Sequence, residues 1–302
     1  MSALFSAALA ASTEAAAGQH YPQGTLYVVA TPIGNLADIS LRALHLLGLV
    51  DAIACEDTRH TQSMLRAYGI DKTAGQLIAV HQHNETQASH AVIEQLRQNK
   101  RLAYVSDAGT PGISDPGARL VAAVHAAGLR CVPLPGPSSV TTLLSVAGIT
   151  DDAHGGFVFV GFLSSKSLER EVAVQALANE PRASVLLEAP HRIEALAQAL
   201  AILGERRITI GRELTKQFEE IATVSAAQFP TWLGQDSNRL RGEFALVVHP
   251  APTPPSDGPD TRVLLLLLEH LPLKTAVKLA ADITGEPRNA LYQAALDLRQ
   301  EK

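Results

Sequence analysis

Two cysteines in 302 residues, Cys55 and Cys131, stand far apart and in no CxxC pair, which excludes a disulfide framework and suits a reducing, cytoplasmic setting. The eleven histidines form no Cys/His cluster with ligand spacing, so no metal site is expected. His81 and His83 would chelate only as a pair, and they read as polar residues at a strand end. Aromatic residues make up 4 % of the chain, too few for a platform on which RNA bases stack. The net charge of −5 supplies no global basic field, so any nucleic acid must be held by a local patch. No apolar run is long enough to span a bilayer; Val263 to Leu268 falls well short. The Ala-rich start lacks the basic flank of a signal peptide and its apolar run is broken by serine. Residues 1–23 are expected to be a disordered extension. Neither GxGxxG nor GxxxxGK[ST] occurs, which weakens dinucleotide and nucleoside-triphosphate readings.

Against these absences stands an ample apolar content, 46 %, arranged as strand-like runs alternating with helix-like ones. Strands are expected at 25–30, 52–55, 76–80, 102–105 and 130–134, with helices at 38–47, 89–99, 118–127 and up to 146. That order implies a mainly parallel sheet with helices on both faces. After a polar, flexible boundary near 148–156, strands are expected at 157–161, 184–188, 207–211 and 243–248, with helices at 165–179 and 191–203. The resulting divisions are 24–150, 151–250, a Pro-rich linker at 251–261, and a tail at 262–302 with three short helices.

The informative loops sit just after strands. SDAGTPGISDPG, residues 106–117, packs three glycines, two prolines and two aspartates into a stretch that neither a helix nor a central strand accommodates. TPIGN (31–35), PGPSS (135–139) and EAPHR (188–192) take the same position after other strands. In open parallel sheets ligands bind beyond the carboxyl ends of strands, where glycine admits close approach and proline stiffens the loop. These loops predict a small-molecule site lined largely by main chain, at the junction of two α/β units.

The motifs ATPIGNLADISLRAL, ACEDTRHT, VSDAGTPGISDPG, PLPGPSS, FVGFL, EAPHRI, GRELTKQFEE and GEFALVV resemble, in that order, those of the ribosomal RNA small subunit methyltransferase I family of the tetrapyrrole methylase superfamily. The resemblance covers about residues 24–250, and the tail is similar to the family's small helical domain. It implies two α/β domains of the tetrapyrrole methylase type with an interdomain cleft, plus a small C-terminal helical domain. It implies S-adenosylmethionine as methyl donor. The implied acceptor is a cytidine ribose in the decoding region of 16S rRNA, as naked RNA or in the 30S subunit, acted on by a homodimer.

Carried over by motif, Pro32, Ile33 and Gly34 are expected to line the cleft, and Asp107, Ala108, Gly109 and Pro111 to make main-chain contacts. Ser138 and Ser139 are expected close to the donor. Phe162, Leu163, Leu187, Glu188, Ala189 and Pro190 are expected around the adenine, with Gly242 and Glu243 nearby. A ribose hydroxyl is a weak acid, so some group should take its proton or stabilise the alkoxide. The candidates are polar side chains at strand ends, Glu56, Asp57, Arg59, Asp107, Glu188, Arg212 and Lys216, of which Glu56, Asp57, Arg59 and Lys216 are taken as catalytic. The EDTR stretch reads alternatively as a helix N-cap with a local salt bridge. Arg212 and Lys216, four apart, either grip phosphate or lie on a solvated face. An RNA-binding patch is expected from Arg59, Arg66, Arg192, Arg206, Arg207, Arg212, Lys216, Lys274, Lys278 and Arg288. The competing readings are a superfamily methylase acting on a tetrapyrrole precursor or a protein side chain, and a non-catalytic ribosome-binding relic.

Overall fold

In a computed structural model the described residues are 5–81, 84–150, 156–251 and 261–300. His83 and most of the Pro-rich linker lie outside them. The chain forms two compact units, residues 1–250 and 251–302.

The first unit opens with α1 (Ser6–Ala16) and then builds a five-stranded sheet from β1 (Thr25–Val29), β2 (Ala52–Cys55), β3 (Leu77–Ala79), β4 (Leu102–Val105) and β5 (Arg130–Leu134). The connecting helices are α2 (Leu41–Leu49), α3 (Thr58–Ala67), α4 (Glu85–Arg97) and α5 (Gly117–Ala126). All pairings are parallel, in the order β3-β2-β4-β1-β5. Side-chain alternation explains why both faces carry helices. Tyr27, Val29, Ile53, Cys55, Ala103 and Val105 enter the core beneath α2 and α3. Their neighbours Leu26, Ala52, Ala54, Leu102 and Tyr104 enter the core beneath α4 and α5. Strands buried on both faces must be apolar throughout, and β2 and β4 are. Pro133, which has no N–H to donate, sits on the edge strand β5, where proline is tolerated.

A second sheet follows α6 (Ser139–Val146). Its strands are β6 (Phe157–Gly161), β7 (Ala183–Glu188), β8 (Arg207–Arg212), β9 (Glu220–Ser225) and β10 (Phe244–Val248), in the order β6-β7-β10-β8-β9. Helices α7 (Ser167–Ala178), α8 (Ile193–Leu200) and α9 (Phe229–Gly234) accompany it. Only β6 and β7 pair in parallel; β10 runs antiparallel to β7 and β8, and β8 to β9. Leu143 of α6 packs with Val185, Ala245 and Val247 of the second sheet and with Ile33 from the loop after β1. That shared core joins the two sheets.

The second unit contains α10 (Arg262–Leu268), α11 (Leu273–Thr284) and α12 (Arg288–Gln300). Leu264, Ala276, Val277, Ala280 and Leu291 form a core of its own. Gly285, in the left-handed conformation, ends α11.

Several sequence expectations are corrected here. Residues 6–16 are not disordered: the alanine-rich run is a strong helix former, Ser12 and Ala16 are fully buried, and Phe5 rests on Tyr68 with ring centroids 5.2 Å apart. Helix α4 begins at Glu85, four residues before the first expected helical residue. Helix α9 and strand β9 go beyond the expected elements, α9 because six residues are too few to show a helical period, while α3 follows the alternative N-cap reading of EDTR. Among the described residues no helix is long and apolar enough to cross a membrane.

Candidate active site

At the β1–β4 pair, neighbouring strands send their connections to opposite faces of the first sheet. From β1 the chain crosses toward β2 on one side; from β4 it crosses toward β5 on the other. A crevice opens at the carboxyl ends of such a pair. Two loops meet there, and they are tied together by main chain: Thr31 N–H donates to Gly109 O and Gly109 N–H donates to Thr31 O, both at 3.0 Å. Gly109 has φ +81, and a Cβ there would come within 3.3 Å of Ile33 Cγ2. Only glycine satisfies both demands without strain. Asp115 stiffens the rest of the loop by accepting from Tyr104 Oη (2.9 Å), Gly112 N (2.6 Å) and Gly117 N (2.8 Å).

The crevice holds three adjoining chambers that share lining residues. The first, about 350 Å³, runs between the sheets and is walled by Phe162, Leu187, Ala189, Pro190, Leu214 and Phe244. It shares Ala108, Ser114, Ser139 and Leu187 with a second chamber of about 120 Å³, whose polar lining includes Glu56, Thr110, Asp115 and Ser138. It shares Ile33, Ala108 and Glu243 with a third of about 330 Å³, faced by α3 and Lys216.

Most of the expected cleft residues converge here: Pro32, Ile33, Gly34, Asp107, Ala108, Gly109, Ser138, Ser139, Phe162, Leu187, Glu188, Ala189, Pro190 and Glu243. Three do not line it. Pro111 is buried within its loop. Leu163 faces the core beneath α7 and α8. Gly242, with φ +89, lies against Glu213, where a Cβ would fall 2.4 Å from Glu213 Cγ; it leaves room for that carboxylate. The carboxylate of Glu188 is buried and ion-paired to Arg192 at 3.1 Å, so this residue offers the cleft little free charge.

Of the four catalytic candidates, Glu56 and Lys216 reach the cleft and Asp57 and Arg59 do not. Asp57 caps α3, accepting from the amides of Arg59 (2.8 Å) and His60 (3.3 Å). The side-chain bond from Arg59, with those amides, lowers its pKa to about 2. Arg59 is 90 % exposed and turned to that pair. Glu56 accepts from Asp107 N at 3.0 Å, and Asp107 in turn accepts from Asp57 N at 3.1 Å, which ties the ends of β2 and β4 together. Burial first, and then the negative charges of Asp107 and Asp115, hold the Glu56 pKa above the ordinary carboxylate range.

Lys216 owes its place to strained backbone. Beyond β8 the chain turns through Glu213 (φ 52) and Thr215 (φ 67), both left-handed without being glycine. The turn lays the lysine stem across Gly34, where a Cβ would meet Lys216 Cγ at 2.4 Å. Its ammonium donates to Glu213 Oε1 (2.8 Å) and Glu243 Oε2 (3.1 Å). Partial burial opposes the charge, but these two bonds outweigh it and raise the pKa, so Lys216 stays cationic. Arg212 and Lys216 therefore share no helical face. Arg212 is buried and bound to Glu220, Phe218 O and Arg241 O. Arg206 is likewise buried, donating to the carbonyls of His249, Leu177 and Glu180. Neither arginine is available to RNA phosphate, whereas Arg59, Arg66, Arg207, Lys274, Lys278 and Arg288 are exposed.

Sequence reasoning misses the face of α3 that enters the cleft. His60, Ser63, Met64 and Ala67 recur at helical spacing and line the third chamber. Extending the helix implied by the N-cap reading of EDTR as far as Ala67 would have placed them together. Among the described residues no group of three or more His, Cys, Asp or Glu side chains is arranged to hold a metal ion.

The Tetrapyrrole (Corrin/Porphyrin) Methylases match residues 25–230, and the RsmI C-terminal HTH domain matches residues 254–299. The fold is similar to that of a solved cobalamin biosynthetic enzyme, cobalt precorrin-4 methyltransferase, at 14 % identity and TM-score 0.55, over 78 % of this chain and 100 % of that one. Fold and cleft thus define a methylase of the tetrapyrrole methylase type. The "Ribosomal RNA small subunit methyltransferase I" of Escherichia coli O157:H7 is 45 % identical over 91 % of this chain and 96 % of its own. That of Xylella fastidiosa (strain Temecula1 / ATCC 700964) is 46 % identical over 89 % and 98 %. The chain belongs to the ribosomal RNA small subunit methyltransferase I family.

Proposed function

We propose that the protein transfers the methyl group of S-adenosylmethionine to the ribose 2′-oxygen of a cytidine in the decoding region of 16S rRNA, acting in the cytoplasm as a homodimer. The observation that carries the reading is the chambered cleft at the parting of the β1 and β4 connections, walled by both sheets. The chambers suit the donor's chemistry. The apolar one, with Phe162, Leu187, Pro190 and Phe244, matches the faces of an adenine. The polar one offers Glu56 and Asp115 to an ammonium group, and the first amides of α6 at Ser138 and Ser139 to a carboxylate. Gly109, in the lining of the polar chamber, leaves room for Ile33, on which a Cβ would press.

When bound, the donor supplies an already activated methyl group, so the protein's main task is alignment. Ile33 and Ala108, held by the Thr31–Gly109 bridge, form the wall that separates the apolar chamber from the one beside α3. Lys216, whose ammonium directs two of its three N–H bonds to Glu213 and Glu243, has the third to donate to an alkoxide or a phosphate. The HTH-matching second unit and the family membership favour an RNA acceptor over a tetrapyrrole or a protein side chain.

The test is transfer of isotope-labelled methyl from S-adenosylmethionine to naked 16S rRNA and to 30S subunits, with the product mapped by mass spectrometry. One 2′-O-methylcytidine in the decoding region is expected. Label in neither substrate, with protein that is folded and binds the donor, would overturn the proposal.

A further inference from the structure

The chamber beside α3 is open to a second ligand. Resting on the methyl-transfer reading above, we infer that it receives a single pyrimidine nucleotide swung out of the RNA stack, and that His60 takes the proton of its ribose 2′-hydroxyl. Three observations point there. First, the chamber shares Ile33, Ala108 and Glu243 with the donor-sized space, so a group lodged in it lies beside the donor's chamber. Second, its volume of about 330 Å³ is that of a site for one small molecule, not for a helix of RNA. A nucleotide enters such a pocket only by leaving its stack. Third, its lining is sorted. Met64 and Ala67 offer an apolar surface to a base, while His60, Ser63 and Lys216 supply polar groups for a sugar and its phosphate.

Among these groups His60 is the one suited to accept a proton. Lys216 is held as an ammonium by Glu213 and Glu243. Glu56 lines a different chamber. Asp107 already accepts the amide of Asp57. His60 brings to the lining an imidazole, whose unprotonated ring nitrogen carries a lone pair able to take a proton. In the step, the 2′-hydroxyl gives its proton to the His60 ring as its oxygen bonds to the methyl carbon. The carbon–sulfur bond breaks, and its electron pair stays on sulfur, which becomes a neutral thioether.

The experiment compares wild type, His60→Gln and Ser63→Trp. Ser63 is exposed on α3, so tryptophan fills the chamber without entering the core. Donor affinity is measured by calorimetry. Photocross-linking of a single-stranded RNA carrying 5-iodocytidine at the target position reports occupancy, and methyl transfer is measured. In wild type the cross-link is expected on the 58–67 peptide. Ser63→Trp is expected to keep donor binding and lose both cross-link and methyl transfer. His60→Gln is expected to keep donor binding and cross-link and to lose roughly 10²-fold or more in kcat. Full methyl transfer by Ser63→Trp would overturn the pocket, and wild-type kcat in His60→Gln would overturn the proton acceptor. A wild type that binds no donor, or methylates no RNA, would instead overturn the function proposed above and this inference with it.

Discussion

At the scale of single residues, the cleft is governed by a few groups whose surroundings set their charge. Glu56 has a folded pKa above its unfolded one, so the folded state holds its proton more tightly and stability is lost as pH rises through that interval. Glu56→Gln keeps an oxygen for the Asp107 amide and removes a charge facing Asp107 and Asp115. It is expected to melt at or above the wild-type temperature at pH 7 while weakening donor binding, measured by thermal unfolding and calorimetry. A lower melting temperature would show that the carboxylate itself holds the loops together. His249 is the opposite case. Burial first, and then Arg207 and Arg206, lower its pKa from 6.5 to about 4. The unfolded chain therefore takes up a proton that the folded one refuses, and stability falls as pH drops from 6.5 to about 4. His249→Gln, which can still bond Thr209, is expected to flatten the dependence of melting temperature on pH over that range.

At the scale of elements, the turn between β8 and β9 holds conformational strain next to the cleft. Thr215 is β-branched at φ 67, and its buried hydroxyl has no hydrogen-bond partner. Thr215→Gly relieves both, and stabilisation by about 1 kcal/mol is expected after the entropy lost to glycine. The same change frees the turn that lays Lys216 over Gly34, so methyl transfer is expected to fall as the melting temperature rises. A variant equally stable and fully active would mean that the strain has no part in placing Lys216. Helix α3 is likewise defined by its surroundings. It starts at the Asp57 cap, buries Thr61, Met64 and Leu65, and leaves His60 and Ser63 at the chamber.

At the scale of the whole molecule, each unit has a core of its own, which argues for separable tasks. A chain ending at Pro250 is expected to fold and bind S-adenosylmethionine while losing RNA affinity, read by calorimetry and filter binding. In the intact chain, Lys274→Ala with Lys278→Ala removes two exposed charges from α11. Weaker RNA binding with a shallower salt dependence is expected, because a protein that neutralises fewer phosphates releases fewer counterions on binding. Unchanged affinity and slope in the folded double variant would assign the second unit to another partner.

The alternation of Leu26, Tyr27 and Val29, and the unbroken apolar runs of β2 and β4, determined the first sheet from the sequence alone, since a strand buried on both faces has no other composition open to it. The glycine- and proline-rich loops declared the cleft for a similar reason: the Thr31–Gly109 bridge demands a residue free to take φ +81. The tertiary structure decided the rest. Strand β10 reads as one more apolar run, and only its neighbours β7 and β8 make it antiparallel. Arg206 and Arg212 look like surface charges until buried carbonyls and Glu220 are folded around them. His60 and Lys216, distant in the chain, come to face one chamber because the Asp57 cap sets one and a strained turn sets the other. Local pattern specifies which face of an element is apolar; which side chains meet across a cleft depends on packing that no short stretch encodes.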